Sequence, residues 1–223
     1  FNRNTSDGDI VRFSKGSSAV GTIGNDGVNL QISGVGSTLN IGGSNTILWP
    51  DLDNSKDLGQ SNFRFRNLYL SGGVFLGGTG AANKLDDYEE GTCTLVVAGA
   101  GGGTRTMGAN NKAYYTRVGR LVTVTGTIHV TGSESLTGSI VITGIPFDAD
   151  PAAHNRAAGS TAGNQLFDCG ANARLALDID PNAAFIFVLS VNDDTPNFAH
   201  LINAAVKANA ALLGLTITYM TDA

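Results

Sequence analysis

Four carboxylates stand within five residues of one short segment, LDDYEEGT at 85–92: Asp86, Asp87, Glu89 and Glu90. A glycoside hydrolase uses two carboxyl groups about 5–10 Å apart on opposite sides of the scissile bond. Neighbouring carboxylates on one glycine-bounded segment do not provide that geometry, and nothing around them indicates the burial that raises the pKa of a general acid. The pattern favours a hydrated joint, paired with Lys84 or with an arginine of a neighbouring chain.

The acidic segment separates two parts of the chain that differ in composition. Residues 1–80 contain one alanine and 15 glycines, whereas residues 81–223 contain 24 alanines and 15 glycines. Two parts with such different composition are expected to form different kinds of structure. The break predicts a front region at 1–84, a junction at 85–92 and a back region at 93–223.

The front region alternates short β-type runs with glycine, asparagine, aspartate and proline breaks, which are strand and turn signals. The runs are DIVRFS, AVGTIG, VNLQIS, STLNIGG and NTILWP. Strands this short, with few large side chains, cannot bury enough apolar area in one chain to offset chain entropy. Identical chains wound about a common axis would supply that area and pair the edge strands. Composition alone supports an oligomer, and we expect a homotrimer.

The back region is richer in alanine but is also mostly β in pattern. In RLVTVTGTIHVTG, Leu121 and Thr123 alternate with Val122 and Val124, and similar runs follow at intervals up to LLGLTITYMTD. This spacing predicts an antiparallel β-sandwich or jelly roll. The apolar residues between 198 and 213 partly keep a helical period, so this stretch is either a short helix or a loop that leads into the last strand.

Four pieces of the sequence together resemble the distal part of tail-fibre proteins of tailed bacteriophages. They are TSDGDIVRFSKGSSAVGTIG, the block DLGQSNFRFRNLYLSGGVFLGGTG with the YEEGT that follows it, YYTRVGRLVTVTGTI and ITGIPF. The resemblance is strongest at 5–24 and 54–92. In such fibres YEEGT usually continues with Trp-Thr-Pro, whereas this chain has Cys93 and Leu95 there, so the first strand of the back region is expected to pack differently.

The resemblance implies an intertwined trimeric β-rich shaft at 1–84 followed by a C-terminal knob at 93–223. It implies a structural virion protein, located in the tail fibre, whose knob attaches to a bacterial surface polysaccharide or outer-membrane protein. The chain starts at Phe1 without a methionine, so we expect it to belong to a longer protein that joins other tail proteins. The alternatives are a purely structural fibre without a receptor and, less favoured, a tailspike-like depolymerase; an enzyme is not expected.

Receptor contacts usually come from loops held on a rigid scaffold. Two irregular stretches of the back region, near 147–165 and 191–197, carry side chains that donate and accept hydrogen bonds. The predicted receptor-binding residues are His154, Asn155, Arg156, Asn192, Asp193 and Asp194. Both stretches are also compatible with ordinary connections or with an interface between chains.

Cofactors, metals, nucleic acids and membrane insertion are not expected. The net charge is −5 and no basic block occurs, which disfavours a nucleic-acid partner. No apolar run approaches the roughly 18 residues of a bilayer span.

His129, His154 and His200 are widely spaced, although a trimer axis could gather three copies of one histidine around an ion. Acidic clusters such as Asp148/Asp150 are interpreted as turn residues. Cys93 and Cys169 are expected to be two unpaired thiols or, alternatively, one disulfide bridge.

Overall fold

The computed structural model describes residues 7–42, 47–85, 87–152, 156–192 and 198–222. Within these residues the chain is all-β, with antiparallel sheets and two 3₁₀ turns, and it contains no α-helix. This confirms the all-β class expected from the short runs and their glycine breaks. The chain divides into two compact units, Phe1–Tyr69 and Leu70–Ala223.

The first unit is a five-stranded antiparallel meander in which each strand pairs with the next along the chain. The two-residue turn after the first strand and the one after the third each contain a glycine at positive φ, Gly16 and Gly36. Each of the five predicted runs overlaps one strand: β1 (Gly8–Lys15), β2 (Ser18–Asn25), β3 (Asn29–Gly34), β4 (Ser37–Gly42) and β5 (Ile47–Pro50).

The second unit contains the remaining strands of the described residues. The earlier ones are β6 (Val74–Phe75), β7 (Lys84–Leu85), β8 (Tyr88–Cys93), β9 (Val96–Gly99), β10 (Lys112–Val118), β11 (Leu121–Val130) and β12 (Ile140–Thr143). The later ones are β13 (Ala157–Ser160), β14 (Gly163–Asn164), β15 (Ala173–Ile179), β16 (Phe185–Asn192), β17 (Phe198–His200) and β18 (Ala210–Met220). The 3₁₀ turns are Ala81–Asn83 and Asn203–Ala205.

Eleven of these strands form one antiparallel sheet that curls like a half-barrel. Its order is β8-β10-β11-β18-β13-β15-β16-β12-β9, with β14 added beside β18 and β17 beside β16. The two ends of this order, β8 and β9, are separated in sequence by Thr94 and Leu95 alone. Since three Cα steps span at most about 11 Å, the ends must approach each other, and the sheet has to curl around a core.

The inner face of the curled sheet is the hydrophobic core of the second unit. Val122 and Val124 point into it with no exposed surface, while Thr123 between them points outward, as the alternation predicts. The other fully buried side chains of this core include Leu95, Val97, Ile128, Ile140, Ile142, Leu177, Ile179, Ile186, Leu212, Leu215 and Ile217. The second unit therefore has the apolar interior that a single folded domain needs.

Two sequence-based expectations differ from the structure. The acidic stretch at 85–92 is expected as a hydrated joint, but Tyr88–Cys93 forms strand β8, and the unit boundary lies earlier, between Tyr69 and Leu70. The helical alternative for 198–213 is wrong: this stretch consists of β17, a 3₁₀ turn and the start of β18. Long-range pairing with β16 and β11 outweighs the weak local helical period there.

Candidate binding surfaces

The sheet of the first unit has one apolar face and one polar face. Residues directly opposite on paired strands share a face, so the pairs Ile23–Ile32 and Ile32–Leu39 put three aliphatic side chains in one row. The pairs Leu30–Ile41 and Ile41–Leu48 form the next row. We call this set the front apolar face: Val11, Phe13, Ile23, Leu30, Ile32, Leu39, Ile41 and Leu48.

The front apolar face is more exposed than the polar face behind it. Leu30 and Ile32 are 44% and 45% exposed, whereas Gln31, between them on the opposite face, is half-buried and donates from Nε2 to Oδ1 of the buried Asn40 at 3.0 Å. Among the described residues of the first unit, Gly24 and Asn40 are the buried ones, and no large apolar side chain is buried. A lone chain thus leaves its apolar sheet face in water.

Four of the six predicted receptor-binding residues, His154, Asn155, Asp193 and Asp194, lie outside the described residues. The other two are described. Arg156 immediately precedes β13, and Asn192 is the last residue of β16. Their predicted role in receptor binding stays a prediction.

Arg156 is held by two carboxylates, that of Asp178 in β15 and that of Asp180 just after this strand. Its Nη1 lies 3.0 Å from Oδ2 of Asp178, and its Nη2 pairs with Asp180. Asp178 is buried, and that burial raises the pKa of its carboxyl group, while the nearby Arg156 and His200 oppose the rise and Asp180 adds to it. The guanidinium charge is therefore already compensated within the chain.

The two described members of the predicted site do not share one patch. Ala157, next to Arg156, pairs with Ile179 at the end of β15, whereas Asn192 pairs with Ala173 at its start. Six residues of strand, at roughly 3.3 Å each, separate these positions by about 20 Å. Arg156 and Asn192 thus lie near opposite ends of β15, and the predicted irregular stretch near 147–165 contains the strands β13 and β14.

The acidic segment is built into the edge of the curled sheet, and its described carboxylates have separate partners. Asp87 forms an ion pair with Arg117 at 3.1 Å. Glu89 accepts a hydrogen bond from the Tyr115 hydroxyl and Glu90 one from Tyr88. Since successive strand residues point to opposite faces, Glu89 and Glu90 cannot flank one glycosidic bond from the same side of the sheet.

A shallow cup on the outer face of β8 and β10 was not anticipated from the sequence. The cross-strand pairs Glu90–Thr116 and Thr92–Tyr114 place four side chains around a backbone floor formed by Gly91 and Tyr115. The cavity is about 280 Å³ in volume, and Tyr114 is 54% exposed. The alternation of exposed residues in both strands is a signal for it, but only the pairing register brings them together.

The described histidine and cysteine side chains pack against other parts of the chain. The His129 ring lies against Gly108, and the His200 ring lies 4.7 Å from that of Phe187, edge to face. Both cysteines are free and half-buried, as expected for unpaired thiols, and burial raises the pKa of each thiol. Within the described ranges, no group of three histidine, cysteine or acidic side chains is arranged to hold a metal ion.

The acidic clusters that could resemble cation sites have protein partners. Asp51 pairs with Lys56 at 3.1 Å, and its Oδ2 accepts from the backbone N–H of Thr38. Asp150 is buried, pairs with Arg120 and accepts from the N–H of Ala152. The Asp150 contact is the local hydrogen bond of a turn residue, as predicted, whereas Asp51 is held by the more distant Thr38 and Lys56.

A scan of the chain against protein-family models finds no match, and a search of curated proteins finds no similar protein. Among the described residues there is also no helix with the length and hydropathy of a membrane span.

Proposed function

We propose that this chain is the distal part of a bacteriophage tail fibre, in which three copies form a shaft from their first units and attach to the host through their second units. The observation that carries the proposal is the exposed front apolar face in a unit without a buried apolar core. A sheet of this kind needs a partner of its own composition, and identical chains provide one.

The energies involved favour association. Complete burial of an aliphatic side chain contributes roughly 1.5–3 kcal/mol. The central residues Leu30, Ile32, Leu39 and Ile41 keep 36–45% of their surface exposed, so covering them gains on the order of 1 kcal/mol each. The two rows of each chain, repeated over three chains, contribute against an association cost of roughly 4–15 kcal/mol.

The second unit is the proposed receptor-binding knob. It has a core of its own, enclosed by the curled half-barrel sheet. The predicted residues His154, Asn155, Arg156, Asn192, Asp193 and Asp194 remain its proposed receptor contacts, for a surface polysaccharide or an outer-membrane protein. Three weak sites on one trimer would act together through their effective concentration.

Two other functions are less well supported. A structural fibre without a receptor is compatible with the same shaft and differs only in what the knob contacts. A depolymerase needs two carboxyl groups that face one bond, and Glu89 and Glu90 point to opposite faces of β8.

Light scattering tests the assembly, and adsorption tests the attachment. We expect a solution mass near 69 kDa, three times the 22.9 kDa of one chain. Purified protein added to host cells should slow adsorption of the phage, and protein lacking residues 93–223 should not. A stable, folded species of 22.9 kDa at micromolar concentration would contradict the shaft proposal; unchanged adsorption would leave the structural fibre.

A further inference from the structure

The cup between β8 and β10 has the side chains of a carbohydrate subsite. Its wall consists of one aromatic ring, Tyr114, one carboxylate, Glu90, and two hydroxyls, Thr92 and Thr116. All four side chains are exposed on the outer face. We propose that this cup binds one pyranose unit of a surface polysaccharide, with Tyr114 as the stacking platform and Glu90 as an acceptor for sugar hydroxyls.

Each wall of the cup matches one feature of a pyranose. An aromatic ring packs against the apolar C–H face of a sugar ring, and a tyrosine keeps its hydroxyl for water or ligand. A carboxylate accepts hydrogen bonds from hydroxyl groups, and threonine hydroxyls both donate and accept. A cavity of about 280 Å³ is close to the lower end of the roughly 300–1,000 Å³ of small-molecule sites, which suits a single sugar ring.

The carboxylate of the cup is positioned before any ligand arrives. The Tyr88 hydroxyl donates to Oε2 of Glu90 at 3.0 Å, which leaves Oε1 for a further donor. This hydrogen bond raises the pKa of Tyr88, because loss of the phenolic proton would bring a second negative charge beside Glu90. The cup also lies on two paired strands rather than on a loop, and strands hold side chains more accurately.

Hydroxyl groups continue from the cup across the sheet. Tyr114 is opposite Thr125, Thr125 is opposite Thr216, and Thr216 is opposite Ser160. With neighbouring strands about 4.8 Å apart, this row from β8 to β13 measures about 19 Å. A polysaccharide that starts in the cup can therefore follow a row of hydroxyl donors and acceptors.

A sugar is a better occupant of the cup itself than a second copy of the chain. Cores of protein interfaces are poor in glutamate and serine and rich in aromatic and apolar residues. The cup itself carries Glu90 and hydroxyls, although the next row of the same face holds the exposed Val118, Leu121 and Met220. The front apolar face of the first unit, which lacks carboxylates, has the composition expected for contact between copies.

The test is an NMR titration of the full chain with labelled threonine methyl groups. The probes are the methyl glycosides of glucose, galactose, mannose and N-acetylglucosamine. We expect at least one probe to shift the Thr92 and Thr116 methyl signals while the Thr38 signal of the first unit stays unchanged. No shift with any of the four overturns the proposal, as does shielding of Thr92 and Thr116 from a soluble relaxation agent by a second copy.

Variants separate the cup from the rest of the surface. Tyr114→Thr, which keeps a strand-favouring residue, should weaken glycoside binding roughly 3- to 10-fold, the equivalent of one aromatic contact. Glu90→Gln should also weaken glycoside binding, whereas Tyr114→Phe should bind as the native chain does. The control is Tyr69→Ala, at a tyrosine that is 87% exposed in the first unit, and it should also bind normally. Equal binding by Tyr114→Thr and the native chain overturns the proposal.

The cup deepens the proposed attachment function and rests on it for its biological meaning, but the two can fail separately. Glycoside binding without inhibition of adsorption would support the sugar-binding cup and contradict the proposed attachment function. A folded Tyr114→Thr variant that has lost glycoside binding is then compared with the native chain in the adsorption assay. If it inhibits adsorption normally, the attachment function stands and its receptor contacts lie outside the cup.

Discussion

Ile32 lies directly opposite Leu39 across β3 and β4, and the two side chains are 45% and 41% exposed. A cross-strand aliphatic pair in the middle of a sheet stabilises the sheet mainly when another layer covers it. On the inner face of the curled sheet of the second unit, the cross-strand pair Val124–Ile217 is fully buried. In the first unit none of the described residues buries the Ile32–Leu39 pair, which makes it the most direct probe of the proposed chain association.

Ile32→Lys should break the assembly of the first unit. A lysine in the centre of the front apolar face would bring a charge into the proposed interface, at a cost of several kcal/mol if it is buried unpaired. Light scattering should then give the mass of one chain. Val35→Lys is the matched control, because Val35 lies in the β3–β4 turn and is 84% exposed. A trimer that tolerates Ile32→Lys would show that the chains do not meet at this face.

Gly126→Ala should destabilise the second unit. A Cβ at this position would meet the carbonyl oxygen of Lys112 at 2.5 Å and the Cα of Ala113 at 2.7 Å. Both are backbone atoms of β10, so the two strands would have to separate. We expect a loss of about 2–3 kcal/mol in the free energy of unfolding by urea. Gly72→Ala, where a Cβ meets nothing within 4 Å, is the control; equal midpoints for both variants would contradict the close strand approach.

Arg156→Gln should lower stability in a pH-dependent way. The variant leaves the buried Asp178 carboxylate with His200 and without its main cation, while Asp180 still repels it. Because Arg156 is itself about half exposed, we expect a loss of about 1–2 kcal/mol at neutral pH rather than the larger cost of a fully buried pair. Lys112→Gln, at an exposed cation of β10 outside this cluster, is the control.

The sign of that pH dependence follows from the raised pKa of Asp178. A carboxyl group whose pKa is higher in the folded than in the unfolded state favours folding below its unfolded pKa, here 3.8, and this contribution is lost as pH rises through the folded pKa. Removing Arg156 raises the folded pKa further. The difference between variant and native protein in urea melts should thus be larger near pH 7 than near pH 4, and a constant difference would exclude Asp178 as its cause.

Both thiols should be free and slow to react. Burial raises the pKa of Cys93 and Cys169, so little thiolate is present at neutral pH and access is restricted. A thiol reagent should label two sites per chain rapidly in denaturant and more slowly in native buffer. A mass lower by two hydrogens under non-reducing conditions, or a melting temperature that falls with reductant, would instead indicate a bridge.

Strand positions could be predicted because they depend on local alternation. Val122 and Val124 alternate with Thr123 over a run long enough for only one arrangement to bury the apolar set. The small number of large side chains in the short strands of the front region, 1–84, likewise predicts a part of the chain without its own sizeable apolar core. The helical alternative near 198–213 failed because a weak local period cannot compete with pairing to β16 and β11.

The sequence by itself determined the all-β class, the alternating faces of the strands and the poor core of the first unit, since these depend on neighbours within a few residues. Only the tertiary structure decided which strands pair. That pairing sets Arg156 against Asp178, places Asn192 at the far end of β15, and brings Glu90 beside Tyr114. The physical reason is that sheet register joins residues far apart in the chain, and no local pattern of side chains encodes the partner strand.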